Sequence, residues 1–436
     1  MLELIGSGLV SFWLDLAGVR AKPMEAFELL AVQSNPALIL SHNPDPVEQA
    51  AIAQYLQQLE TRGMKKAEQG IWMQSGPMLL ANNNGTVPLP AASLTKVATS
   101  LAALKTWGVD HQFQTLIGAT GPISNGVLHG DLVINGGGDP FFVWEEAIAI
   151  GNTLNSLGIR QVTGNLTIVG NFAMNYQTDP LKAGELLLQG LDSTTWKAGA
   201  TAQFSQLPAG TPRPKVVISG IVQVATIPNP KQFLLLRHRS LPLSQILKEM
   251  NVYSNNEMAE MLGQSLGGTE IVRSKAAAAA GVSNSEIRLI NSSGLGVENR
   301  ISPRAVCAMF MAIQRELLHT RMSVADLFPV AGWDERGTLL TREMPAGTVI
   351  KTGTLNDVSA LAGVMPTRDR GLVWFTIINR GSALERLRTE QDNLLQRLLV
   401  QWHLPPVIPA AITPHSSGKI PADLGAVSRN EILYRS

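Results

Sequence analysis

Ser93 and Lys96 stand in a Ser-x-x-Lys pattern near a predicted helix start. A serine hydroxyl is a weak nucleophile until a base takes its proton, and a lysine three residues later on a helix lies on the same face within reach. The backbone amides at a helix start also favour a developing oxyanion. Taken alone the pattern is weak evidence, because a capping serine followed by a solvated lysine has the same spacing, and Ser416 and Lys419 repeat it in a Pro/Gly-rich segment.

Ser254 and Asn256 form a second pattern, Ser-x-Asn, between two predicted helices. In a cleft, this serine hydroxyl would relay a proton, and the asparagine carboxamide would hold a substrate amide. Serine and asparagine are also favoured helix caps, so a polar cap is the competing interpretation.

A third pattern, Lys351-Thr352-Gly353-Thr354, ends a strand-like run. A lysine and two hydroxyls at a strand edge bind a carboxylate, and the glycine lets a substrate backbone approach closely. The tripeptide on its own also fits a surface turn.

The predicted elements put the three patterns in a consistent context. Apolar residues at three- and four-residue steps predict helices, and short β-like runs joined by short links predict an antiparallel meander. The helices are expected from Ala92 or Ser93 to Gly108 and over residues 243–250, 258–266 and 302–316, and the strands over residues 348–351, 358–365 and 371–379. The first pattern thus opens a helix, the second lies between helices and the third lies on a strand, which is the arrangement expected of one acyl-transfer site.

Residues 115–237 differ in character from the segments that carry these patterns. They contain short β-like runs, separated by Gly, Pro and Asn, over residues 127–135, 164–169, 215–224 and 232–236. We therefore expect a β-rich insertion at 115–237, a discontinuous catalytic domain from 1–114 and 238–404, and an extended C-terminal tail at 405–436.

Composition describes a globular chain of two or three folded units: 436 residues, 45% hydrophobic and 16% charged. With 35 Lys and Arg against 34 Asp and Glu, there is no overall field to attract nucleic acid or anionic lipid. Cys307 is the only cysteine, which excludes an internal disulfide and a cysteine-built zinc site, and its apolar surroundings predict a buried thiol.

The amino terminus leaves export open. Residues 4–16 are mostly apolar, as in a signal peptide, but Glu3 and Asp15 are acidic and no Lys or Arg precedes the run. No later run is long and uncharged enough to span a bilayer, so we expect at most peripheral membrane association.

Taken together, the patterns resemble the peptidase S13 family of D-alanyl-D-alanine carboxypeptidases and endopeptidases, the class C low-molecular-mass penicillin-binding proteins. The similar stretches lie between residues 71 and 379 and comprise residues 90–96, 130–132, 136–140, 237–244, 253–260, 299–303 and 351–355. The resemblance implies an α+β fold of the penicillin-binding/serine β-lactamase-like transpeptidase type, an antiparallel sheet with a helical lobe, carrying an inserted domain. Residues 291–295, Asn-Ser-Ser-Gly-Leu, depart from the usual Asp-Gly-Ser-Gly-Leu of the family.

The resemblance also implies a role for each patterned residue. Ser93 would be the acylated nucleophile, Lys96 its general base, Ser254 the proton relay and Asn256 the holder of the substrate amide. The terminal carboxylate would be received by Lys351, Thr352 and Thr354, and the backbone amides of Ser93 and Thr354 would form the oxyanion hole. No metal or organic cofactor is needed.

The implied activity is a serine-type D-Ala-D-Ala carboxypeptidase, with DD-endopeptidase action as an option. Its partners would be peptidoglycan stem peptides, and β-lactam antibiotics would be covalent inhibitors. It would act in the periplasm or cell envelope. Two alternatives stay open: a β-lactamase- or esterase-like hydrolase of the same fold, and a non-catalytic wall-binding relative.

Overall fold

The computed structural model describes residue 39 and residues 43–415 and 421–434. The possible export segment at residues 4–16 and the second Ser-x-x-Lys pattern at Ser416 and Lys419 lie outside these residues. The described chain divides into two compact units. The first is built from the residues up to Gly108 and from Leu247 to residue 415, and the second from Val109–Ile246 together with residues 421–434.

The described residues form both helices and strands. The helices are α1 (Pro46–Glu60), α2 (Thr95–Trp107), α3 (Trp144–Ser156), α4 (Pro180–Leu191), α5 (Ala198–Phe204), α6 (Leu243–Tyr253), α7 (Asn256–Ser265), α8 (Thr269–Ala280), α9 (Pro303–Leu317) and α10 (Leu384–Trp402). The strands are β1 (Gly70–Ser75), β2 (Met78–Asn83), β3 (Leu89–Pro90), β4 (Gln114–Ala119), β5 (Ile123–Ser124), β6 (Val127–Leu128), β7 (Leu132–Gly137), β8 (Gln161–Val162), β9 (Leu166–Asn171), β10 (Val217–Ile218), β11 (Val222–Ala225), β12 (Phe233–Arg239), β13 (Ile287–Arg288), β14 (Arg300–Ile301), β15 (Val349–Leu355), β16 (Val358–Thr367), β17 (Gly371–Arg380) and β18 (Asn430–Ile432).

A five-stranded antiparallel sheet, in the order β15-β16-β17-β1-β2, forms the centre of the first unit. Every residue of β16 is buried, because helices cover both faces of the sheet. Apolar side chains of α1 and α10 pack in one core with those of the sheet, and α9 lies against β17 and β1. The meander predicted from the sequence is confirmed, and β15 continues to Leu355, so the whole third pattern lies on a strand.

The helical lobe of this unit surrounds α2. Its residues from Thr95 to Leu104 are all buried, and it contacts α7, α8 and α9. The helix is thus buried on every side over these residues, and the lysine in its first turn is buried with it. Cys307 in α9 is buried, its Sγ lies 3.2 Å from Thr376 Oγ1, and burial raises its pKa to about 12. The predicted buried thiol is confirmed.

The second unit contains a six-stranded mixed sheet, in the order β11-β9-β7-β4-β12-β18, and a four-stranded sheet, in the order β10-β8-β6-β5. The pairs β7/β9 and β9/β11 are parallel. Parallel neighbours need crossover connections, which α3 and then α4 with α5 provide. These three helices were not predicted, whereas β-like runs were predicted where β6, β7 and β9 to β12 lie.

The C-terminal residues also differ from the extended tail expected from the sequence. Strand β18 pairs with β12 and belongs to the second unit. Glu431 accepts hydrogen bonds from Arg237 and Arg239, and Asn430 Oδ1 lies 2.7 Å from Nδ1 of the buried His238. These polar partners are distant in sequence, which is why composition alone did not reveal the pairing. Among the described residues, no helix is both long and apolar enough to cross a membrane.

Candidate active site

Ser93 lies on a single 3-10 turn, Ala92–Leu94, that leads directly into α2. The preceding Ala92 has φ +47°, a conformation that non-glycine residues seldom adopt and that persists only where the surroundings enforce it. The turn is held by a backbone hydrogen bond from Ala91 N to Asn299 O, 2.9 Å. Ser93 is half-buried, with its Oγ facing the first-turn lysine of α2.

Lys96 is completely buried, and its Nζ donates to three acceptors. They are Ser93 Oγ at 3.0 Å, Asn256 Oδ1 at 2.7 Å and the Ser293 carbonyl at 2.8 Å. Burial lowers the pKa of Lys96 to about 7, against the opposing effect of the Glu260 and Glu257 carboxylates. A lysine with this pKa is partly neutral near pH 7, and the neutral amine can accept the proton of the hydroxyl it contacts.

Ser254 and Asn256 lie at the junction of α6 and α7. Ser254 has φ +54°, which turns the chain sharply between the two helices. The cap of α7 is Asn255, whose Oδ1 accepts from Met258 N at 2.9 Å. The polar-cap interpretation therefore applies to Asn255, while the side chain of Asn256 reaches Lys96 and that of Ser254 reaches β15.

Lys351, the first residue of the third pattern, is also completely buried. Its Nζ donates to Ser254 Oγ and to the Thr352 carbonyl, both at 2.8 Å. Burial, and then the positive charge of Lys96, lower the pKa of Lys351 well below its usual range. The structure thus brings both lysines and both serines of the three patterns into two short hydrogen-bonded chains in one unit.

The remaining residues of the third pattern lie on β15, at the edge of the sheet. A Cβ on Gly353 would lie 3.0 Å from Ser93 N and 3.1 Å from the Ala91 carbonyl, so the glycine permits close approach of the strand to the serine turn. Thr352 is buried and its Oγ1 donates to Thr338 Oγ1 at 2.9 Å. Thr354 is exposed.

A loop that the sequence did not assign to the site completes the surroundings of Lys96. The Glu260 carboxylate accepts from Ser292 N at 3.1 Å and Ser293 N at 2.9 Å, and the carbonyls of the same two serines accept from Thr99 and Lys96. Glu260 thereby fixes the peptide groups that hold the lysine. It lies one helical turn after Asn256 on α7, and this i,i+4 spacing is a signal that could have identified it.

The unusual segment at residues 291–295 keeps a tight turn despite its departure from the family pattern. Asn291 Oδ1 accepts from Gly294 N at 2.8 Å. Gly294 has φ +90°, and a Cβ there would lie 1.9 Å from the Ala92 carbonyl. Asparagine therefore closes this turn, and the glycine lets it pack against the Ser93 turn.

Other chemical patterns lie elsewhere. Residues 263–267 read Gly-x-Ser-x-Gly, but their serine, Ser265, is exposed at the end of α7 and not on a strand-to-helix turn, so it does not form a nucleophile elbow. Within the described residues, no group of three or more His, Cys, Asp or Glu side chains has an arrangement that could hold a metal ion.

Comparison with known proteins gives a family match over most of the chain. Residues 48–177 and 213–400 match the D-Ala-D-Ala carboxypeptidase 3 (S13) family. The chain is 26% identical to a carboxypeptidase of Mycobacterium tuberculosis, over 70% of this chain and 75% of that protein. It is 23% identical to D-alanyl-D-alanine carboxypeptidase DacB of Haemophilus influenzae, over 67% of this chain and 80% of that protein.

Solved structures give the same fold. The penicillin G-acylated predatory endopeptidase of Bdellovibrio bacteriovorus, at 23% identity, has a TM-score of 0.69 and covers 83% of this chain and 98% of that chain. Penicillin binding protein 4 of Haemophilus influenzae, at 18% identity, has a TM-score of 0.61 and covers 80% of this chain and 99% of that one. The predicted α+β fold of the penicillin-binding/serine β-lactamase-like type is confirmed.

Proposed function

Since the chain belongs to the D-Ala-D-Ala carboxypeptidase 3 (S13) family, we propose that it is a serine-type D-Ala-D-Ala carboxypeptidase that cleaves peptidoglycan stem peptides through an acyl-enzyme on Ser93. The observation that supports this most strongly is the contact of Ser93 Oγ with a buried lysine whose pKa is lowered to about 7. A nucleophile beside a base matched to neutral pH is the essential requirement of this chemistry.

The reaction has two acyl-transfer steps. Neutral Lys96 takes the Ser93 proton while Oγ attacks the carbonyl that precedes the terminal D-alanine. The tetrahedral intermediate collapses as the amine of D-alanine leaves. The proton that Lys96 took passes to this amine through Ser254, whose hydroxyl is hydrogen-bonded to Lys351, so Lys96 is neutral again. Water then attacks the ester, and Lys96 accepts the proton of the water and returns it to Ser93 Oγ as the acyl group leaves. Backbone amides of Ser93 and Thr354 stabilise the oxyanion in both steps.

Asn256 holds the amide of the acyl residue while its Oδ1 orients Lys96. A β-lactam ring would be opened by the same attack, which makes these antibiotics covalent inhibitors. Because its substrate is cell-wall peptide, the enzyme acts in the periplasm or the cell envelope. DD-endopeptidase action uses the same steps on a cross-linked peptide, with a different amine leaving.

Incubation with purified muropeptides tests the proposal. Monomeric pentapeptide should lose one alanine, cross-linked dimers should stay intact or yield monomers, and mass analysis separates these products. Ser93→Ala is the control and should yield neither. If the wild-type protein opens penicillin rapidly but leaves every muropeptide intact, a β-lactamase-like hydrolase is correct instead. If it does neither, the non-catalytic alternative is correct.

A further inference from the structure

The proposed reaction requires a positive group for the substrate carboxylate next to the scissile bond. Lys351 is the cation of the third pattern, and its surroundings limit its use for this purpose. Lys351 is completely buried, and its Nζ is hydrogen-bonded to Ser254 and to the Thr352 carbonyl. Desolvation disfavours its charged form. Thr352 gives its hydroxyl proton to Thr338 Oγ1, which in turn faces the Val252 carbonyl at 3.4 Å.

Arg388 in the first turns of α10 provides the missing charge. Its Nη2 donates to Thr354 Oγ1 at 3.0 Å, and Thr354 is the exposed end of the third pattern. A threonine hydroxyl has one proton and two acceptor lone pairs. Because Thr354 accepts from Arg388, its own proton stays available for a carboxylate.

We propose that Arg388, acting with the Thr354 hydroxyl, is the specificity-determining cation that recognises the free α-carboxylate of the leaving D-amino acid. This inference rests on the proposed function and assigns the carboxylate to Arg388 and Thr354 in place of Lys351 and Thr352. A guanidinium is always charged and presents five N–H donors in a fork that fits a carboxylate. It therefore engages the substrate without giving up its contact with Thr354.

Within the described part of the chain, Arg388 forms one ion pair, with Glu385 one turn earlier on α10. The side chain of Glu385 is 82% exposed. Exposed ion pairs of this kind contribute little stabilising free energy, so a substrate carboxylate competes readily with Glu385 for the guanidinium.

A pair of substrates that differ only in the carboxylate tests the assignment. One is an acyl-D-Ala-D-Ala peptide with a free C-terminus and the other is the same peptide with a C-terminal primary amide. Release of D-alanine or D-alaninamide is followed by mass spectrometry for the wild type, Arg388→Gln and Arg388→Lys. Arg386→Gln, an exposed arginine two residues earlier on the same helix, is the matched control.

For Arg388→Gln we expect kcat/KM on the free-acid peptide to fall about 10- to 100-fold, as for loss of a charge-assisted hydrogen bond, with the amide peptide within about threefold of wild type. Arg388→Lys should restore part of the loss, and Arg386→Gln should change neither substrate. An equal fall on both peptides, or no fall on the free acid, overturns the inference. A wild type that cleaves neither peptide and forms no penicillin adduct overturns the proposed function instead.

Discussion

The Nζ of Lys96 lies 3.0 Å from the Oγ of Ser93. Lys96 is completely buried, and its pKa is lowered to about 7. Under the proposed mechanism, the contact allows Lys96 to remove the Ser93 proton, and the lowered pKa of Lys96 determines the pH range in which it does so. If this relationship governs acylation, substitution of Lys96 by a cation that cannot lose its proton should remove the reaction.

Lys96→Arg should slow acylation by penicillin about 10²- to 10⁴-fold, the range of general-base catalysis, because arginine stays protonated. The rate is measured by intact mass spectrometry after timed incubation. Lys105→Arg, on the same helix but partly exposed and paired with Glu316, is the control and should acylate normally. Unchanged acylation in Lys96→Arg would mean that another group is the base.

The acylation rate should also depend on pH with an apparent pKa near 7. The neutral lysine is the reactive form, so the rate should fall about tenfold per pH unit below 7 and level off above about 8. A stopped-flow profile from pH 5 to 9 checks this. A rate that keeps rising through pH 9 would show that Lys96 has an ordinary lysine pKa.

Glu260 should affect both the position and the pKa of the base. Glu260→Gln and Glu257→Gln each remove a negative charge that raises the pKa of Lys96. In both variants the fall of the acylation rate at low pH should therefore begin at a lower pH than in the wild type. Only Glu260 also binds Ser292 N and Ser293 N. We therefore expect the plateau rate to fall about tenfold or more in Glu260→Gln alone. Equal plateau rates in the two variants would limit Glu260 to an electrostatic effect.

Two buried lysines should respond oppositely to removal. A lysine whose pKa is lower in the folded than in the unfolded protein reduces stability at any pH below its unfolded-state pKa. Lys351→Met should therefore keep the free energy of unfolding at pH 7 within about 1 kcal/mol of wild type or above it. The same variant should abolish activity. Burial also lowers the pKa of Lys248, but Lys248 differs from Lys351 because it donates to a buried carboxylate, that of Asp334, at 2.7 Å. Lys248→Met should cost about 3 to 5 kcal/mol, because it leaves that carboxylate unpaired. Urea unfolding measures both, and a larger loss for Lys351→Met would contradict this account.

Gly294→Ala should disturb the Ser93 turn. The added Cβ would lie 1.9 Å from the Ala92 carbonyl, so the Ser93 turn must move and acylation should fall at least tenfold. Gly268→Ala is the control, since Gly268 has φ +98° but no atom within 4 Å of the added Cβ. It should lose about 1 kcal/mol of stability from backbone strain and acylate normally. If both variants acylate alike, the contact with Ala92 is unimportant.

The three patterns are present in the sequence itself. The helices and strands that carry them, and the meander, could be predicted because each depends on short-range spacing. The burial that lowers the pKa of both Lys96 and Lys351 depends on tertiary packing, which short-range spacing does not reveal. Glu260 and Arg388 were missed because their contacts, with Ser293 and Thr354, join residues 33 and 34 positions apart. Strand β18 was missed because a three-residue strand becomes recognisable only through its partner.

The most direct test of the central claim is to locate the penicillin adduct. After incubation with benzylpenicillin, intact mass spectrometry should show one adduct per chain, and peptide mapping should place it on Ser93. Ser93→Ala should show none. An adduct that persists in Ser93→Ala, or that maps to Ser416, would contradict the assignment of Ser93 as the acylated nucleophile.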